Sequence, residues 1–205
     1  LYLRSNAGPI TALDGETGKT KWSTQAGKPG YPSFGVSASD EHVIVISSTT
    51  LYLLDAETGR ILDSAVSDFL PSATPTIVGE YIYLPTQKGV VEVLTVENLS
   101  RTEFTFGSHG SIDNPITASA TTVSWATDEG RVYVANRGAP GLRYHFESQD
   151  EITTAPVVHG DRLFAISMDG FAYALDETTG EMRWRYSAGG PLSATPLAID
   201  GTLYV

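Results

Sequence analysis

Chemistry in this chain would have to come from a small set of side chains. The sequence holds four histidines, His42, His109, His145 and His159, and no cysteine. Without a thiol, the segment has no disulfide, no thiolate nucleophile and no thiolate metal ligand. None of the histidines stands beside another His, Asp or Glu at the spacing that puts two metal ligands on one strand, so each reads as a turn or strand-surface residue. The densest polar run is His109-Gly110-Ser111-Ile112-Asp113-Asn114. It runs into an extended segment that opens at Pro115. Within it, His109, Asp113 and Asn114 are the candidates for contact with a ligand, and an ordinary connecting loop has the same composition. Asn98-Leu99-Ser100 fits the glycosylation pattern, which short sequences also match by chance. Trp125 reads as a core aromatic. No nucleophile–base pair and no metal set emerges, so catalytic, cofactor-binding and metal residues are all expected to be absent.

The residues that do recur belong to a different kind of pattern. Ala12-Leu13-Asp14-Gly15-Glu16-Thr17-Gly18-Lys19-Thr20-Lys21-Trp22 and Ala174-Leu175-Asp176-Glu177-Thr178-Thr179-Gly180-Glu181-Met182-Arg183-Trp184 share the form A-x-D-x-x-T-G-(K/E)-x-x-W. A shorter copy keeps Asp55, Thr58 and Gly59, with Asp63 where the tryptophan would fall. The apolar alternation before each Asp, as in Phe171-Ala172-Tyr173-Ala174-Leu175, predicts a half-buried strand. An Asp followed by Thr-Gly predicts a turn in which the carboxylate accepts backbone N–H groups and the glycine takes φ > 0. The unit is therefore a β-hairpin whose second strand carries a tryptophan suited to packing against the next repeat. Pro75, Pro115, Pro156 and Pro196 mark the same period, standing 40, 41 and 40 residues apart at the starts of extended runs, where a missing N–H costs least. Gly35 lies 40 residues before Pro75 and marks the same place.

A period of roughly 40 residues is that of propeller blades, and the motif closely resembles the tryptophan-docking motif of the PQQ-like, or quinoprotein-like, β-propellers. The resemblance implies an all-β fold of four-stranded antiparallel blades. It also implies a structural docking role for Ala12, Asp14, Gly18, Trp22, Asp55, Gly59, Ala174, Asp176, Gly180 and Trp184, with Trp22 and Trp184 buried between blades. His109, Asp113 and Asn114 would then face the central funnel. The fold hosts dehydrogenases, assembly scaffolds and sensor domains, so it does not by itself give a function. PQQ-dependent dehydrogenases hold their quinone beside an adjacent-cysteine disulfide and bind Ca²⁺ through Glu, Asn and Asp; no such set can be carried onto these residues. The repeats resemble more closely those of the bacterial outer-membrane assembly lipoprotein.

Blade boundaries are expected near 1–34, 35–74, 75–114, 115–155, 156–195 and 196–205, within one propeller domain over 1–205. That is about five blade equivalents, an arc of a ring of roughly seven or eight blades. The third and fourth repeats depart from the motif, with Glu97-Asn98 and Asn136-Arg137-Gly138 at the turns, as drift would produce. A net charge of −11, from 13 basic and 24 acidic residues, opposes binding to nucleic acid or an anionic membrane. No run of about 20 apolar residues is present to insert in a bilayer. The expected function is a non-catalytic scaffold for proteins, peptides or another ligand, without a cofactor. A periplasmic or cell-envelope location is implied by the resemblance alone. Part of a PQQ-dependent dehydrogenase-like enzyme and the sensor domain of a signalling protein are the alternatives.

Overall fold

A computed structural model describes residues 1–5, 8–31 and 33–205. The chain is all-β and folds as a β-propeller of four-stranded antiparallel blades. The first sheet has three strands, β1 (Tyr2–Arg4), β2 (Pro9–Leu13) and β3 (Thr20–Gln25). Four sheets of four strands follow. They are β4 (Ser37–Ala38), β5 (His42–Ser47), β6 (Thr50–Asp55) and β7 (Ile61–Val66); then β8 (Thr76–Val78), β9 (Tyr81–Pro85), β10 (Val90–Thr95) and β11 (Phe104–Gly107). Next come β12 (Thr117–Ala118), β13 (Thr122–Ala126), β14 (Arg131–Asn136) and β15 (Leu142–Glu147); then β16 (Val157–His159), β17 (Arg162–Ile166), β18 (Phe171–Asp176) and β19 (Met182–Ser187). A two-stranded sheet, β20 (Leu197–Ile199) and β21 (Thr202–Tyr204), comes last. Strands follow one another across each sheet in chain order, so every connection within a sheet is a hairpin. The expected strand positions hold, with shifts at their ends: the strand expected over 101–106 is confined to Phe104–Gly107.

The chain forms two compact units, residues 1–84 with 92–104, and residues 85–91 with 105–205. In the first, Ile44, Ile46, Leu51 and Leu53 pack with Ile77, Ile82, Leu84 and Leu94, while Ile10, Ala12 and Trp22 pack with Val43, Val45 and Leu54. In the second, Ala126, Val132 and Val134 pack with Ile152, Leu163, Ala165 and Leu175. Consecutive residues of one strand thus enter two different clusters. β5 shows why: Val43 and Val45 point one way, Ile44 and Ile46 the other, and all four are fully buried. Strands buried on both faces read as continuous apolar runs rather than alternating ones. Trp125, also fully buried, stacks on Tyr133 at 5.6 Å and lies 5.5 Å from Phe106.

Two regularities are repeated from sheet to sheet. Ala12, Leu53, Val134 and Ala174 pair with Trp22, Asp63, Tyr144 and Trp184 respectively, and a β-bulge follows each pair. The bulge inserts one residue and turns the end of the strand, so it gives the outer strand of each sheet the same aim. One loop hydrogen bond also repeats, between β1 and β2, β9 and β10, β13 and β14, and β17 and β18. The amides of Gly8, Gly89, Gly130 and Gly170 donate to the carbonyls of Ser5, Thr86, Thr127 and Ser167.

If β5 is buried on both faces, Ile44→Ala should cost about 2–5 kcal/mol in urea unfolding. Leu62→Ala, at a side chain 40% exposed on β7, should stay within about 0.5 kcal/mol. Equal effects would contradict the two-faced packing.

Candidate functional site

The recurring Asp turns are built alike. Asp14 Oδ1 accepts the Thr17 N–H at 2.9 Å and the Thr17 hydroxyl at 2.7 Å. Asp55 Oδ1 accepts the same pair from Thr58, at 2.7 and 2.6 Å. Asp176 Oδ1 accepts from the Thr179 N–H at 2.8 Å and hydroxyl at 3.0 Å. Each turn ends on a glycine in the left-handed region, with φ of 68° at Gly18, 72° at Gly59 and 77° at Gly180. Donors aimed at a carboxylate favour its charged form. Asp14 and Asp55 are accordingly held below their ordinary range, chiefly by the Thr17 and Thr58 hydroxyls. Asp176 is lowered from 3.8 to about 2, first by Arg183, whose Nη2 lies 2.6 Å from Oδ2, and then by Thr179.

The outer strand of one sheet reaches the turn of the next. Trp22 Nε1 donates to the Ala56 carbonyl at 3.0 Å, and Thr24 Oγ1 donates to the Gly59 carbonyl at 2.7 Å. Tyr2, 5.8 Å from the Trp22 ring, donates its hydroxyl to the same Ala56 carbonyl at 3.2 Å. The indole lies so close to Gly59 that a Cβ there would sit 2.4 Å from its ring atoms. A side chain at that glycine and the docked Trp22 are therefore mutually exclusive.

In the fourth sheet the docking position holds Tyr144. Its hydroxyl donates to the carbonyls of Asp176 at 3.1 Å and Glu177 at 3.0 Å, and its ring covers Gly180, where a Cβ would meet it at 2.6 Å. The fourth repeat thus uses a tyrosine where the motif has tryptophan, a substitution the A-x-D-x-x-T-G-x-x-x-W pattern passes over. In the second sheet, Asp63 occupies the position and its Oδ2 accepts the Leu99 N–H at 3.2 Å. The Glu177 carboxylate adds a second link. It is buried and accepts from the hydroxyls of Ser119 and Thr122 in the preceding sheet. Burial and the nearby Glu177 and Asp176 charges raise the Tyr144 phenol well above its ordinary value.

Trp184 differs from the expectation of a buried docking residue. It is 38% exposed and lies 5.9 Å from Phe164. Met182 and Tyr186, on the same strand, are exposed with it. The indole has its strand position and pairing partner, Ala174, but among the described residues no turn covers it as Ala56–Gly59 covers Trp22. Burial of this side chain depends on a neighbouring surface, which its own motif cannot encode.

The three funnel candidates separate. Asp113 and Asn114 line a cavity of about 120 Å³ with Asp128, Glu151, Ile152 and Thr153. Asn114 Nδ2 donates to the Thr153 carbonyl at 2.9 Å, and Asp128 Oδ1 accepts the Ser111 N–H at 2.7 Å. His109 does not line that cavity; its side chain is exposed, and its backbone N–H donates to the Tyr133 hydroxyl at 2.9 Å. No group of three His, Cys, Asp or Glu side chains among the described residues is arranged to hold a metal ion. Among the described residues no helix is long and apolar enough to cross a membrane.

One charged residue stands out against the repeat. Arg4 has a half-buried guanidinium whose pKa is lowered by desolvation. Its Nη1 donates to the carbonyls of Phe34 at 3.2 Å and of Ile46.

A family profile described as outer membrane protein assembly factor BamB matches residues 1–136 and again 122–205. BamB from Moraxella catarrhalis superposes with a TM-score of 0.79 at 19% identity, over 98% of this chain and 62% of that one. A computationally designed protein, Ika8, superposes with a TM-score of 0.80 at 15% identity, over 98% of this chain and 63% of its own. The chain therefore spans less than two thirds of the length of either. At such identities the likeness is one of fold. No curated protein matches the sequence.

Two predictions follow from the docking geometry. Trp22→Ala should cost about 3–5 kcal/mol, as for other buried aromatics, whereas Trp184→Ala should cost roughly 1 kcal/mol or less. Thermal and urea unfolding of the two variants checks the order, and equal losses would remove the distinction between them. The second concerns acid. A depressed folded-state pKa contributes stability that is present above the unfolded value and lost as pH falls through the folded one. For Asp176 that window runs from 3.8 down to about 2. Asp176→Asn should flatten the fall in stability across it; an unchanged acid limb would show that the Arg183 and Thr179 contacts do not stabilise the charged form.

Proposed function

The chain belongs to the family of outer membrane protein assembly factor BamB, and from that premise we propose that it is a non-catalytic scaffold that binds proteins or peptides in the bacterial cell envelope. The observation that carries this reading is the use made of the repeated residues. Asp14, Asp55 and Asp176 spend their acceptors on their own turns, and Trp22 and Tyr144 spend their polar atoms on the next sheet's carbonyls. The recurrent side chains therefore build a rigid frame. What such a frame offers is its loops, held in fixed relation by the sheets. The acidic net charge favours protein partners over nucleic acid. Periplasmic residence belongs to the same proposal and rests on the family.

Site-specific photo-crosslinkers placed in living cells test this reading. Positions in the exposed loop 149–151 should crosslink to a discrete protein partner, and Ala56, buried beside Trp22, should not. Titration with PQQ and Ca²⁺, followed by tryptophan fluorescence and dye-linked alcohol oxidation, should give neither saturation nor turnover. Quinone-dependent turnover would replace the scaffold with the dehydrogenase reading.

A further inference from the structure

The three Asp turns are built alike, but their surroundings differ. The Gly59 turn lies under Trp22, and the Gly180 turn lies under Tyr144. In both, the residue after the Asp offers its carbonyl to the aromatic side chain, and that residue, Ala56 or Glu177, is buried. The Asp14 turn has no such cover. Gly15, the counterpart of Ala56 and Glu177, is exposed, and so is Gly18. A Cβ at either glycine would meet nothing within 4 Å. Yet the turn is fully formed: Asp14 accepts from Thr17, and Gly18 holds a φ of 68°. The strand before it is bare as well. Tyr2 pairs with Ala12 as Ile44 pairs with Leu53, Ser124 with Val134 and Phe164 with Ala174. One residue along, Leu3 therefore stands where the other sheets place Val45, Trp125 and Ala165. None of those is more than 1% exposed, whereas Leu3 is 49% exposed.

The other half of such a contact lies on β19. Trp184 pairs with Ala174 as Trp22 pairs with Ala12, so it holds the docking position. The sheet that follows has two strands, β20 and β21. They are the counterparts of β16 and β17, since Leu197 pairs with Tyr204 as Val157 pairs with Phe164. The turn that covers a docking side chain joins the third and fourth strands, so β20 and β21 bring none to the indole.

One chain thus carries a docking aromatic without a turn and a docking turn without an aromatic. We propose that the two meet between copies of this chain, with Trp184 of one copy seated on the Asp14–Gly18 turn of a second. The indole N–H donates to the Gly15 carbonyl of the second copy, as Trp22 does to Ala56, and its ring covers Gly18, where no Cβ stands in the way. A second copy is the occupant because the fit needs both a carbonyl and an open left-handed glycine, and this chain displays that pair free. In this seat β1 of the second copy falls where β21 lies, because Tyr2 and Tyr204 are both counterparts of Phe164. β21 gives way. Its Tyr204 and the adjoining Val205 are 58% and 53% exposed, whereas Tyr2 and Arg4 hold β1 to the Ala56, Phe34 and Ile46 carbonyls. The joint sheet is β20 of one copy with β1, β2 and β3 of the other, in the strand order of the four-stranded sheets. Each copy uses a different surface at each contact, so association runs on from copy to copy unless a ring closes.

Sedimentation equilibrium of the 205-residue chain, with acrylamide quenching of tryptophan fluorescence, tests this. Trp22 and Trp125 are buried, so quenching reports on Trp184. Wild type should associate as concentration rises, and quenching should fall in step. Trp184→Ala and Gly18→Asn should each weaken association about thirtyfold or more, as loss of a central tryptophan contact does. Asn tolerates the left-handed region and the space at Gly18 is open, so Gly18→Asn should keep the wild-type Tm. Trp184→Ala, at an exposed side chain, carries the test if that variant fails to fold. Mixed together, the two variants should form a one-to-one dimer and nothing larger. One supplies an intact Trp184, the other an intact turn, and their remaining ends are blocked. Removal of residues 202–205 should strengthen association by clearing the place of β1. A wild type that stays monomeric at high concentration would overturn the proposal. So would association that survives both variants, or a mixture that fails to pair. Weaker association after removal of residues 202–205 would overturn the exchange of β21 for β1.

Discussion

A sheet that is apolar on both faces cannot stand in water by itself, and the whole molecule answers to that constraint. β5 and β13 have no solvent face: Val43 to Ser47 and Thr122 to Ala126 are buried without a break. At about 25 cal/mol per Å² of apolar surface, leaving such a face open would cost more than a domain's net stability. Within the first compact unit the two faces of β5 are accordingly covered, Val43 and Val45 by one apolar cluster and Ile44 and Ile46 by another. The bulge after Ala12, Leu53, Val134 and Ala174 sets the aim of the outer strand. The docking side chain fixes how far that strand lies from the next turn. Burial supplies the free energy, and the hydrogen bonds to turn carbonyls select one geometry among the many that would bury the same area.

That division of labour explains what could be read in the sequence. The Asp turns are local: the bonds that close each turn run between an Asp and a Thr three residues on, next to the Gly, so the pattern is complete in one short stretch. The proline spacing likewise reports a strand start, which is local. Docking is different because it joins residues more than thirty positions apart. Tyr144 serves where Trp22 serves because both present a flat ring to a glycine and a polar hydrogen to a carbonyl. Asp63 serves by the reverse chemistry, as acceptor for the Leu99 N–H. Three residue types in one structural role leave no consensus letter. The exposure of Trp184 has the same origin, since its motif is intact and only the covering surface differs.

Buried carboxylates were equally illegible. Glu92 and Glu177 look like ordinary surface residues, yet both are buried, each accepting two hydroxyls. Their partners, Ser67 and Thr102 for Glu92, Ser119 and Thr122 for Glu177, lie 10 to 58 positions away. A buried charge is tolerated when its lone pairs are satisfied, and small hydroxyls at strand ends supply the donors without steric demand.

The candidate site was least legible of all, for a related reason. His109, Asp113 and Asn114 attracted notice because they are polar and adjacent in sequence, but adjacency places only two of them on one cavity. Arg4 attracted none, since a single arginine near a strand end is unremarkable in one dimension. It becomes anomalous only when the pairings align it with Ile46, Ala126 and Ile166. In a repeat protein the shared residues are committed to the frame, so the information about function lies in departures from the repeat. Departures that still make the frame's contacts, as Tyr144 and Asp63 do, are structural substitutions. Arg4 places a charge on a core position and still ties it to the frame, since its Nη1 donates to the Phe34 and Ile46 carbonyls while Nε is left buried without an acceptor.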